Sequence, residues 1–129
     1  MKLGKIIAAC HGLDKIMAQD LSLPMAKQVF DMREKLQSSW DFQVMQERKI
    51  AEKHPHVNPA NGSVSYDNGD SEMEKERLAE LDSFIKELKD LAEMEQDLSV
   101  EPIVLRSSEE NIKIAGNDIK ALKGFITFE

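Results

Sequence analysis

Two helical patterns of nearly equal length, joined by a short turn-rich segment, constrain this chain more than any other feature. One runs from Pro24 to His54 and the other from Ser71 to Leu98. At about 1.5 Å rise per residue, each spans roughly 40–45 Å. Equal partners either side of a compact connection predict an antiparallel helical hairpin, a device that holds and docks and carries no chemistry of its own. The expected class is mainly α with minor β in one domain, 1–129. A short N-terminal helix (5–19), the long helix 24–54, a turn-rich tip (55–70), the long helix 71–98 and a strand/helix base (100–129) follow in order.

The local patterns set these bounds. Ile6, Ile7, Cys10, Leu13, Ile16 and Met17 recur at helical spacing, with Gly12 weakening the run by roughly 1 kcal/mol relative to Ala. Pro24 fits a first helical turn, and Ser22 is the better hydrogen-bonding cap before it. The helix that follows offers Ala26, Val29, Phe30, Leu36, Trp40, Val44 and Ala51 along one stripe, interrupted by Arg33 and Glu47. Met32, Phe42 and Met45 lie partly off that stripe, which predicts contact with a further element or another subunit. Pro55 ends the run. In the tip, Asn61-Gly62 and Asn68-Gly69 are turn signals, and Ser63 to Tyr66 alternates as a short strand would. Two readings stand there: a β-hairpin pairing Val57 with the Val64 region, and a polar loop.

The helix after the tip carries Leu78, Leu81, Phe84/Ile85, Leu88, Leu91/Ala92 and Leu98 at alternating steps of three and four, a coiled-coil-like seam. Hairpin core is the expected use of this seam, and intermolecular pairing is its competitor. Beyond it, Ile103-Val104-Leu105 reads as a strand that pairs with Ile112-Lys113-Ile114 across residues 107–111. A short helix from Asp118 to Lys123 then leads into a docked apolar ending, Phe125 to Phe128.

Charge narrows the partners. The formal net charge is −7. Residues 67–110 hold 15 Asp/Glu against 5 Lys/Arg, whereas residues 1–56 hold 7 against 9. An acidic half argues against direct binding to a nucleic-acid backbone, which needs a cationic surface. It suits a basic protein partner, or mimicry of nucleic acid toward a protein that binds it. The single cysteine, Cys10, excludes an intrachain disulfide and suits a reducing cytoplasm. Ile7-Ala8-Ala9-Cys10 resembles a lipoprotein cleavage box, but its apolar run is far shorter than the ~7–15 residues of a signal core. No stretch approaches the ~20 apolar residues of a membrane span.

No catalytic constellation emerges. Cys10 and His11 are sequence neighbours and point about 100° apart on a helix. His54 and His56 flank Pro55 near Asp67 and Asp70, but without a zincin spacing or a paired Cys motif they read as exposed loop histidines. Asp67 to Asp70 lacks the ligand ladder of a calcium loop, and no Gly-rich phosphate loop is present. The expectation is a non-enzyme with no cofactor and no metal. The interface candidates are Met32, Trp40, Phe42, Met45, Phe125 and Phe128. Trp40 is expected in the core, and becomes the first anchor if exposed.

The order of elements resembles a family of small uncharacterised phage and prophage proteins from Gram-positive hosts. The resemblance rests on Leu21-Ser22-Leu23-Pro24-Met25-Ala26, the Gly/Asn/Asp-rich stretch from His56 to Asp70, and the Leu/Glu-rich helix from Leu78 to Glu95. It continues in Pro102-Ile103-Val104-Leu105, Ile112-Lys113-Ile114 and Asp118-Ile119-Lys120-Ala121-Leu122. The chain departs from it at Ala115-Gly116, where a proline is expected. The resemblance implies no activity and transfers no residue role. It implies a virus-encoded accessory protein in the cytoplasm of a bacterial host, or associated with the virion. Its partner would be a virion or host protein. The expected role is an assembly or chaperone-like one, and the alternative is an acidic inhibitor of a host defence or nucleic-acid-handling protein. A homo-oligomer is open, since a thin hairpin buries little surface per residue.

Overall fold

The structure is a computed structural model and describes residues 1–64 and 71–129. It is mainly helical with a small sheet. The elements are α1 (Leu3–Met17), α2 (Leu23–Lys35), α3 (Gln37–Lys53), α4 (Ser71–Glu93), β1 (Ile103–Leu105), α5 (Gly116–Ala121) and β2 (Ile126–Phe128). The expected turn at Asn68-Gly69, the strand residues Ser65 and Tyr66, and Asp67 and Asp70 lie outside the described residues.

The helix that organises the molecule is α1. It touches each of the other four helices and buries seven of its fifteen residues, against three of thirteen in α2 and two of seventeen in α3. The expected N-terminal accessory is therefore the hub. Its sequence explains this: Leu3, Ile6, Leu13 and Ile16 are fully buried, each worth about 1.5–3 kcal/mol of transfer free energy, and buried Ala9, Cys10 and Gly12 widen that face to about half of the helix circumference. Its glycines are packing sites. A Cβ on Gly12 would meet Leu122 Cγ at 2.9 Å, and one on Gly4 would meet Ala92 at 3.1 Å.

The expected single helix 24–54 is two helices. At Leu36 the backbone N–H bonds to the carbonyl of Arg33, three residues back, a tightened turn that ends α2. Leu36 itself is fully buried, so the break is held by the core. It lets α2 pack on α1 and β1 while α3 packs on α1 and α4. The hairpin partner of α4 is thus the 17-residue α3, and the equal-length hairpin is replaced by a shorter one resting on α1.

Helix α4 also ends earlier than expected, at Glu93. The chain turns there to bond with the N-terminal segment, Leu3 N–H to Met94 O and Gln96 N–H to Met1 O. The core falls into two clusters. One gathers Ile6, Leu13, Val29, Leu36, Leu122 and Phe125 among others. The second gathers Leu3, Ile50, Val57, Phe84 and Leu91.

The base differs from the expected hairpin. β1 pairs in parallel with β2, in register Ile103 with Ile126 and Leu105 with Phe128. The intended partner, Ile112 to Ile114, is occupied elsewhere. The Gln19 side-chain amide donates to Lys113 O at 2.6 Å and accepts from Lys113 N–H at 2.7 Å, so that backbone is bound to the end of α1. α5 serves as the crossover helix between the parallel strands. The apolar ending docks as expected, with Phe125 and Ile126 buried.

Ser22 caps α2 as read from the sequence, accepting from Met25 N–H. It is itself held by Glu110, which accepts from Ser22 N–H at 3.0 Å and from the Ser22 hydroxyl. These bonds hold the Glu110 carboxyl below the usual carboxylate value. In the tip, Val57 and Val64 form an isolated antiparallel bridge, with Gly62 at φ 70° in the left-handed region its turn requires.

Gly12→Ala is expected to destabilise the protein. The helix-propensity gain of about 1 kcal/mol is outweighed by an overpacking cost of about 1–3 kcal/mol, because Leu122 is fully buried and has nowhere to move. Urea denaturation should show a lower midpoint than wild type. A raised midpoint would show that α5 yields.

Candidate interaction surface

Phe84 and Ile85 are neighbours about 100° apart around α4, and the structure separates their roles. Phe84 and Leu91 point into the second cluster and are buried. Leu78 and Ile85 are 46% and 53% exposed, with Leu81 and Leu88 half-buried between and beyond them. Positions 78, 81, 85 and 88 form a three-four repeat of Leu, Leu, Ile and Leu along the helix edge, in which Leu81 and Leu88 pack against the second cluster and Leu78 and Ile85 stand out from it. Ala92 lies against Gly4 of α1. The seam is therefore split: one row builds the hairpin, and a second, partly exposed row runs along the helix edge. Exposed acids border it, with Glu74 one turn before its start, Asp82 along its side and Glu93 beyond its end.

The middle of α4 is gripped by the end of α3 and the start of the tip. His54 Nε2 lies 2.6 Å from Glu87 Oε2, and its Nδ1 is 4.0 Å from Glu80 Oε1. His56 Nδ1 meets Glu80 Oε2 at 3.0 Å, and Lys53 reaches Glu87 at 3.4 Å. An ionised carboxylate only accepts, so His54 carries its proton on Nε2 and His56 on Nδ1 toward these oxygens. The His54 ring also meets Phe84 edge-on at 5.9 Å. His54 is buried, not the exposed loop histidine expected from the sequence. Its hydrogen bond is the main cause that holds the Glu87 carboxyl below its usual value, with Lys53 contributing. The two Glu partners were hidden among the many acids of α4. They stand seven residues apart, two helical turns, and that spacing is the only signal the sequence held.

The six interface candidates distribute as follows. Met32 and Phe125 are buried in the first cluster and are spent on the interior. Phe128 is half-buried against that cluster, and Phe42 is half-buried against the second. Trp40 is partly buried. The Arg33 guanidinium lies 5.0 Å from its ring centroid, and His11 packs against it edge-on at 5.1 Å. Arg33 also pairs with Asp14 at 3.0 Å and donates to Gln37. Met45 alone is exposed, at 47%. The exposed residues of the α4 row, Leu78 and Ile85, were not among those candidates, although the sequence left intermolecular pairing of that seam open as the alternative to hairpin core.

Cys10 is fully buried and its thiol is pushed up, chiefly by that burial, so it is not disposed to act as a thiolate. Among the described residues, no group of three or more His, Cys, Asp or Glu is arranged to hold a metal ion, and no helix is long and apolar enough to cross a membrane. No family model matches the chain, and neither a characterised protein nor a solved structure matches it.

The Glu87 shift has a sign that pH can read. A carboxyl held low in the folded state contributes stability that is fully present above its ordinary value near 4.5 and is lost as pH falls through the folded value. Glu87→Gln is therefore expected to lower the thermal midpoint at neutral pH. The gap to wild type should close as pH falls below 4.5. A gap that stays constant down to about pH 3 would show that the latch is not ionic.

Proposed function

We propose that this chain is a non-enzymatic protein–protein interaction module, encoded by a phage or prophage and acting as an assembly or chaperone-like accessory in the cytoplasm of a bacterial host. The observation that carries the interaction reading is the outward row of α4, where Leu78 and Ile85 stand exposed on an otherwise charged helix. The viral origin rests on the sequence resemblance alone. Exposed apolar side chains repeating along one helix edge, bordered by acids, suit a partner that presents an apolar helix face flanked by Lys or Arg.

A second reading, the acidic inhibitor of a host defence or nucleic-acid-handling protein, draws on the same helix. The 67–110 segment carries a large excess of acids, and many on α4 are exposed. Salt separates the two. Binding through the apolar row survives high salt, whereas binding through the acids is screened.

The test is affinity capture from phage-infected host cells with three baits: wild type, Leu78→Glu/Ile85→Glu, and an acid-neutralised α4 (Glu74→Gln/Asp82→Asn). The first double variant is expected to lose at least about tenfold of a partner that survives a high-salt wash, equivalent to about 1.4 kcal/mol. Equal capture by that variant would overturn the role of the row. Loss confined to the acid-neutralised bait, and only at low salt, would favour the inhibitor reading.

A further inference from the structure

The outer edge of β1 is open, and its pattern of hydrogen-bonding groups is unusual. Ile103 N–H donates to Phe125 O, Leu105 O accepts from Glu129 N–H, and Ser107 N–H donates to Glu129 O. The odd-numbered residues of this segment therefore face β2. Strand alternation turns the N–H and C=O of Val104, the N–H of Arg106 and the C=O of Pro102 to the opposite side. None of these four groups has a backbone partner among the described residues. Two positions on this edge are already closed. Pro102 has no N–H, and the Arg106 carbonyl accepts from both Glu109 and Glu110 N–H at 3.0 Å.

Beside this edge runs an open groove of about 570 Å³ between β1 and α2, lined by Met25, Met32, Asp31, Lys35, Pro102 and Val104 among others. The Val104 side chain is 41% exposed. A strand at the usual spacing of about 4.8 Å would lie in this groove over α2.

We propose that the occupant is a second copy of this chain, with β1 pairing antiparallel to β1 about a two-fold axis at Val104. In that register Val104 faces Val104 of the other copy, and the two exchange N–H···O bonds. Arg106 faces Pro102 of the other copy. The Arg106 N–H then donates to the Pro102 carbonyl. The missing N–H of Pro102 falls opposite the Arg106 carbonyl, which is already satisfied. Each open group meets a complement and each closed position meets a closed one. An arbitrary strand would leave its own donor or acceptor unmet at Pro102 and at Arg106, which is how proline normally protects an edge. The pairing closes as an isologous dimer. It also converts a two-stranded sheet of three-residue strands, too small to be stable alone, into four strands in the order β2-β1-β1-β2.

The full-length chain is tested by sedimentation equilibrium over a range of concentration. Wild type and Val104→Thr, which keeps the N–H, are expected to sediment at twice the chain mass. Val104→Pro, which removes the N–H, is expected to sediment as a monomer with its helical circular dichroism intact. A second variant guards against misfolding. The hydrogen-bonded pairing places the two Val104 Cα atoms about 5.5 Å apart, with Cβ atoms wider than the ~3.5–4.5 Å of a disulfide and within reach of a short bis-maleimide. Val104→Cys should therefore form a covalent dimer with that reagent, while exposed Ile119→Cys should not, and buried Cys10 supplies no background in wild type. A wild type that stays monomeric at the highest attainable concentration would overturn the proposal. So would a folded Val104→Pro that still dimerises, or Val104→Cys that cross-links no better than Ile119→Cys. A monomer that instead takes up an extended peptide at this edge would assign the groove to a foreign strand and equally overturn it.

Discussion

At Gly4 and Gly12 the backbone of α1 is bare, and Ala92 of α4 and Leu122 at the end of α5 lie directly against it. Those two approaches fix where the second half of the chain sits on the first. Side chains there would push both neighbours outward and open the core between them, because packed interiors have no slack to absorb the displacement. The propensity cost of glycine inside a helix, about 1 kcal/mol each, is the cost of admitting those two neighbours. All of α2, α3, α4 and α5 pack on α1, and Lys5, His11, Asp14 and Lys15 keep its remaining face in solvent.

The break at Leu36 follows from the same arrangement. A straight helix from 24 to 54 would carry one face past α1 without serving both core clusters. Ending α2 at Leu36 lets Val29, Met32 and Leu36 complete the first cluster, while Ile50 of α3 enters the second. Arg33 explains the interruption in the apolar stripe. It sits where α1, α2 and α3 meet, with only 12% of its side chain exposed, and its charge is met by Asp14, Gln37 and the Trp40 ring. Asp14 is nearly half exposed, so the pair adds little stability. Its effect is to orient Trp40 over His11 and define the angle of the junction.

Local patterns were legible in the sequence, and choices between distant partners were not. The periodicity of residues 6–17, the Ser22 cap, the Val57–Val64 bridge and the docked Phe125 ending depend on near neighbours or simple burial, and the structure contains them all. The sheet partner depends on competition. Ile112 to Ile114 alternates as well as Ile126 to Phe128 does, and the decision rests on Gln19, ninety-four residues from Lys113, whose amide takes that backbone. Gly12 read as a weakness because its reason, Leu122, is remote. The α4 seam was ambiguous at Phe84/Ile85, where the position of α3 decides which turns inward, and at Leu91/Ala92, where both are used, Leu91 in the second cluster and Ala92 against Gly4 of α1. The buried His54 was missed because its carboxylates lie two turns apart on a helix full of carboxylates.

The two open surfaces differ in what holds them and in how they respond to their surroundings. The C-terminal end of α4 is clamped by the glycine contact with α1, and its middle is gripped through Phe84 and a latch of histidines on carboxylates. The α4 row is bordered by exposed acids, whose interactions salt screens while leaving apolar contact in place. The β1 edge behaves in the opposite way. Two copies of a chain with net charge −7 repel each other, and salt screens that repulsion while leaving the backbone bonds of the pairing in place. In the proposed associations, salt therefore removes only the acidic contribution at the α4 row and assists the pairing at β1.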